Sequence, residues 1–180
     1  MVLNGEKTLT AIIAICKAAS TVKGIRVQLS FRYYGFVPAA CGETSICPIV
    51  INFYDSEHDN IKKLRHLNRM EATGGTPEGI CFEALQRKVM LPLLGKGNMF
   101  INFSDGEPNG SEAINITTNV IKKFRSIGIL VLSYFICEGE PDERAETTFR
   151  SMYGKDAEFI DVNSMIRLAS TINKQILKMS

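Results

Sequence analysis

Apolar positions along this chain switch repeatedly between two spacings. Leu9, Ile12, Ile13, Cys16 and Ala19 recur at helical intervals, and Gly24 closes that run. Ile25 to Tyr33 alternates strictly, which predicts a strand with one drier face. Gly35 to Pro48 contains two prolines and two glycines and reads as a turn and loop. Ile49 to Tyr54 is then a second strand. Only a loop separates the two, so an antiparallel hairpin at one edge of a sheet is expected.

Further along, a short helix is expected over about Asp59 to Leu67, and Gly74-Gly75-Thr76-Pro77 breaks the pattern. Pro77 suits the first turn of a helix running to about Met90. Asn98 to Phe103 reads as a buried strand. The next helix puts Ala113, Thr117, Val120, Ile121 and Phe124 on one face. Gly128 to Ile136 is nearly all apolar, as a central parallel strand covered on both faces should be. A helix near Asp142 to Met152, a short strand at Glu158 to Asp161 and a helix from about Asn163 follow. That last helix aligns Met165, Leu168, Ala169, Ile172 and Ile176. The alternation predicts a doubly wound α/β fold, with a mostly parallel sheet and helices on both faces. Its 180 residues suit one domain over 1–180.

Composition narrows the picture. Apolar residues make up 45% and charged residues 22%, the balance of a soluble globular protein. The net charge of +2 has no run of one sign behind it, and Lys62-Lys63 and Lys122-Lys123 read as solvated helix faces. Neither nucleic acid nor a membrane is called for: no apolar stretch reaches the roughly 18 to 20 residues of a span. No secretory signal is evident, and a reducing cytoplasm fits best. Cys16, Cys81 and Cys137 read as small core residues, while Cys41 and Cys47 flank a loop and can pair only in an oxidising setting. His58 and His66 read as surface residues, and Asp55, Glu57 and Asp59 as a solvated loop and helix start. Phe31, Arg32, Tyr33, Tyr34 and Phe36 interleave aromatics with a base, which a strand with one covered face explains more simply than RNA stacking.

Two turns carry candidate chemistry: Thr73-Gly74-Gly75-Thr76-Pro77-Glu78-Gly79 and Phe103-Ser104-Asp105-Gly106-Glu107-Pro108. In a doubly wound sheet, ligands sit beyond the carboxyl ends of the strands. Asp105 follows such an end and Thr76 opens the preceding helix. A hydroxyl and a carboxylate converging there suit a hard cation such as Mg²⁺. The glycine turn lacks the spacing and lysine of a phosphate-binding loop. The same residues also serve as a sharp turn, a helix cap and a second turn. A metal-dependent hydrolase using Asp105 and Glu107 is the alternative from another class, although no nucleophile sits in a recognisable setting.

The pair G-G-T-P-E-G and F-S-D-G-E-P, separated by one helix, resembles the second and third metal-site motifs of von Willebrand factor A domains. In that family a D-x-S-x-S motif, a threonine and an aspartate form a metal-ion-dependent adhesion site; Thr76 matches the threonine and Asp105 the aspartate. The order of elements agrees from the first helix to the last, and the wording is closest to cytoplasmic bacterial and phage members, such as the cobalt-chelatase subunit. The resemblance implies a protein-interaction module whose Mg²⁺ is completed by a carboxylate of the partner. By the same resemblance the partner is a MoxR-type AAA+ ATPase.

One departure stands beside the match. The D-x-S-x-S motif should follow a central first strand, and the sequence begins Met1-Val2-Leu3-Asn4-Gly5, already at the first helix. Without that motif Mg²⁺ binding is expected to be weak or absent, because one carboxylate offers little against dehydration of the ion. With strand order 3-2-1-4-5-6 the missing strand lies mid-sheet. The expectation is that another chain or a second copy fills the gap, as a hetero-partner or a homo-oligomer, or that Met1 to Leu3 tucks in as a stub.

Overall fold

The apolar run Leu130–Cys137 becomes β4, the middle strand of a three-stranded parallel sheet, in the computed structural model, which describes residues 2–69, 77–87, 97–104, 108 and 111–179. Its neighbours are β3 (Met99–Ser104) and β5 (Ala157–Asp161), both parallel to it. Alternation along β4 divides the interior in two. Leu132, Tyr134 and Ile136 enter a core with Ala11, Ile15 and Ala19 of α1 (Val2–Ser20) and Met165, Leu168 and Ile172 of α5 (Met165–Met179). Val131 and Phe135 enter a second core, built from α2 (Glu78–Leu85), α3 (Ser111–Ser126) and α4 (Glu143–Tyr153). Helices therefore cover both faces of the parallel sheet. All five residues expected to line the last helix are buried. Asp142 caps α4 by accepting a hydrogen bond from the Ala145 amide at 2.9 Å.

The expected hairpin forms, with two differences. Strands β1 (Gln28–Pro38) and β2 (Thr44–Asp55) pair antiparallel, Phe36 opposite Ile46 and Tyr33 opposite Ile49. Most of the predicted loop from Gly35 to Pro48 is therefore strand. The ladder carries both prolines, with Pro48 opposite Tyr34, and the reversal falls on Ala40–Gly42, where Cys41 (φ 64°) and Gly42 (φ 77°) turn left-handed. The second difference is that the hairpin is not an edge of the parallel sheet. It stands as a two-stranded sheet of its own. Its base is held by Tyr54, which packs with Cys16 and Leu64 and meets the Ser20 hydroxyl at 3.1 Å.

Three local expectations also change. The helix predicted near Asp59 is a 3₁₀ segment, Ile61–Arg69. The helix predicted from Pro77 to Met90 is α-helical over Glu78–Leu85, and Lys88 to Met90 lie outside the described residues. The alternative of a stub at Met1 to Leu3 meets a helix at Val2 and Leu3, which belong to α1, and Met1 lies outside the described residues.

Asp55 is not solvated. It is 4% exposed and accepts hydrogen bonds from Arg26 (Nη2 at 2.6 Å), Gln28 (Nε2 at 3.0 Å) and the Glu57 amide (3.1 Å). The Arg26 guanidinium, above all, holds its carboxyl well below the usual carboxylate range. His58 and His66 are exposed. All five cysteines are free. Cys16 and Cys81 are buried, Cys137 is half-buried, and burial pushes the Cys16 thiol up to about 12. No helix among the described residues is long and apolar enough to cross a membrane.

Candidate functional site

Asn102 is the one polar residue between Met99 and Phe103, and it is 2% exposed. A buried amide must find partners, and the surrounding elements supply them. Glu78, in the first turn of α2, is fully buried, and its Oε1 accepts from Asn102 Nδ2 at 3.3 Å. Arg32 reaches in from β1 and donates through Nη2 to the same Oε1 at 2.8 Å, while its Nη1 bonds the Asn102 carbonyl oxygen. Tyr153, at the end of α4, donates to the other carboxylate oxygen at 2.6 Å and accepts from Asn102 at 3.1 Å. The Arg32 guanidinium also lies over the Phe82 ring, 5.3 Å from its centroid.

Both oxygens of Glu78 are therefore occupied, by three donors from three elements. Three donors on one buried carboxylate make Glu78 an anchor. The network ties the hairpin, α2, β3 and α4 to one point. Burial, followed by the Glu78 charge, pushes the Tyr153 hydroxyl well above its ordinary pKa, so it stays a donor. Gly79 explains why α2 comes so close. An added Cβ would lie 3.0 Å from the Ala113 carbonyl oxygen and 3.1 Å from Ile116, so only glycine lets α2 seat on α3 without displacement.

The sequence-predicted site residues Thr76 and Asp105, and the alternative's Glu107, lie outside the described residues. Their flanks are described. Thr76 directly precedes Pro77 and Glu78 at the start of α2, and Asp105 directly follows Ser104 at the carboxyl end of β3. Glu78 and Asn102 bind these two elements together. Among the described residues, no group of three or more histidine, cysteine, aspartate or glutamate side chains could hold a metal ion.

The network also lies where two strand edges have no strand partner among the described residues. Strand β3 pairs with β4 on one side and β1 with β2 on one side; no described strand joins β1 to β3. The Phe103 carbonyl oxygen accepts from Arg32 Nη2 at 3.1 Å. In the sequence Arg32 reads as part of an aromatic strand face, and Asn102 and Tyr153 are not among the candidate residues. The signals that could have found them are a charge inside an alternating strand and an amide inside an apolar one. No family model matches the chain, and no curated protein matches it.

Proposed function

We propose that this chain is a cytoplasmic protein-interaction module of the von Willebrand factor A type. In this reading Thr76 and Asp105 are part of a Mg²⁺ site, and the module is an adaptor for a MoxR-type AAA+ ATPase. The observation that carries the reading is the division of the sheet. In the strand order expected from the resemblance, one strand belongs between the hairpin and β3, and this is where the two sheets part. Unpaired strand edges are sites for pairing with another chain, and a strand added there would join the two sheets into one. The anchored network beneath supports the reading too, since it holds the elements flanking Thr76 and Asp105 in fixed relation.

The test is binding of a purified MoxR-type ATPase to the chain supplied with a peptide strand that carries Asp-x-Ser-x-Ser, with Mg²⁺ present and with Mg²⁺ chelated. Asp105→Ala is expected to lower affinity at least tenfold, about 1.4 kcal/mol, with the fold intact by circular dichroism. Binding that ignores both Mg²⁺ and Asp105 would remove the metal from the proposal, and absence of binding would remove the ATPase.

A further inference from the structure

The segment Ile61–Arg69 is a nine-residue 3₁₀ helix, long for a conformation that seldom runs much past one turn. With three residues to the turn, positions three apart stack into edges. Ile61, Leu64 and Leu67 form the inner edge. Leu64 and Leu67 are fully buried, and Leu64 packs with Cys16 of α1 and Tyr54 of β2. The outer edges are Lys62 with Arg65 and Lys63 with His66, and of these Lys62, Arg65 and His66 are exposed. Lys62, Lys63, Arg65 and Arg69 fall between Asn60 and Met70, a stretch without aspartate or glutamate. A rise of about 2 Å per residue sets Lys62 and Arg65 side by side, about 6 Å apart along a ridge that the buried leucines hold in place.

The carboxylates that precede the ridge are already committed. Asp55 and Glu57 pair with Arg26 at 2.6 and 3.0 Å, and Asp59 pairs with Lys63 at 2.9 Å. Among the described residues, Lys62 and Arg65 have no ion pair. Two like charges held at that spacing repel, and an anion brought from outside relieves them. Carboxylates one turn apart on an α-helix, about 6 Å, match the spacing. Arg65 offers a planar fork to one of them and Lys62 a point charge to the next. A nucleic-acid strand fits the ridge less well. Single strands are held by aromatic stacking as well as by cations, and from Asp55 to Arg69 the chain has no phenylalanine, tyrosine or tryptophan. A phosphate backbone running past the start of the ridge would also meet Glu57, whose side chain is 53% exposed.

We infer that the outer face of Ile61–Arg69 docks an acidic helical segment of a protein partner, with Lys62 and Arg65 as the contact cations. The contact needs neither Mg²⁺ nor Asp105 nor a strand between β1 and β3, so its failure and that of the adhesion-site reading are distinguishable. Fluorescence anisotropy of the full chain with a labelled helical peptide tests it, the peptide carrying glutamates four residues apart on one face. The controls are the same peptide with glutamine at those positions and a single-stranded oligonucleotide of equal charge. The glutamate peptide is expected to bind roughly tenfold more tightly than the glutamine peptide, and to weaken as salt rises. Lys62→Gln and Arg65→Gln should each weaken it roughly threefold, the loss of one exposed pair. Lys62→Glu and Arg65→Glu should each weaken it roughly tenfold, because reversal adds repulsion to the lost attraction. Both side chains are exposed, so circular dichroism should not change. Lys122→Glu with Lys123→Glu, an exposed pair on α3, changes the net charge as much as Lys62→Glu with Arg65→Glu and should leave binding unaltered. Equal binding of the two peptides overturns the inference, as does wild-type affinity after Lys62→Glu with Arg65→Glu. An equal loss from the Lys122 and Lys123 substitutions overturns it too, since net charge alone would then be the attraction. Tighter binding of the oligonucleotide than of the glutamate peptide overturns it in favour of a nucleic-acid surface.

Discussion

Glu78→Ala is expected to destabilise the fold by about 3–5 kcal/mol, the cost of leaving a buried charge without its partner. Arg32 would keep its guanidinium among Asn102, Phe103 and Phe82 with no anion facing it, and Tyr153 would lose the acceptor of its hydroxyl. In a domain of this size that corresponds to a fall in melting temperature on the order of 10 °C. Adding Arg32→Met should recover part of the loss, since an apolar replacement of a whole buried pair is often nearly neutral. A double-mutant cycle by urea unfolding should therefore give a coupling of about 1–3 kcal/mol between the two sites. A single-mutant cost under about 1 kcal/mol would mean that water reaches Glu78, and the anchor role would fail.

The second large effect concerns packing alone. Phe149 is 1% exposed and sits in an aromatic cluster, with Phe135 at 5.3 Å, Phe159 at 5.5 Å and Tyr153 at 4.7 Å between ring centroids. Phe149→Ala removes a buried ring from between α4 and the sheet and is expected to cost about 3–5 kcal/mol. Phe149→Leu keeps most of the volume and should cost about 1–2 kcal/mol. Equal costs for the two substitutions would show that the cavity closes and that the cluster is loosely packed. Because Tyr153 belongs both to this cluster and to the Glu78 network, the alanine variant should also loosen the anchor.

The parts of the fold legible in the sequence are those where one short segment carries its own signal. The run before Cys137, apolar but for Ser133, reads as a strand covered on both faces, and β4 is that strand. The repeat from Met165 to Ile176 placed the buried face of α5 residue by residue. Where the structure departs, the deciding partner is distant in sequence. Gly35 to Pro48 looked like a loop because prolines and glycines punctuate it, yet pairing across the hairpin extends the strands through them. Asp55 reads as solvated because its neighbours are polar, but Arg26, 29 residues away and itself exposed, covers it with a paired guanidinium. The Glu78 network is harder still, since its partners lie 24 to 75 residues apart and each has an ordinary local context. No periodicity reports such a meeting. Of the candidate site, the sequence named Thr76 and Asp105, whereas the structure describes the anchor joining the elements on which they lie.

The most direct measurement is complementation of the open edge in trans. A synthetic peptide with an apolar strand followed by Asp-x-Ser-x-Ser would be added to the full chain, and Mg²⁺ affinity and melting temperature recorded with and without it. The proposal expects the chain alone to bind Mg²⁺ weakly or not at all. With the peptide, Mg²⁺ binding should strengthen at least tenfold and the melting temperature rise, and Asp105→Ala should abolish the gain in Mg²⁺ binding but keep the rise from strand pairing. A peptide that changes neither quantity would contradict the account: the gap between β1 and β3 would then not be a place for a strand, and Thr76 and Asp105 would be turn residues only.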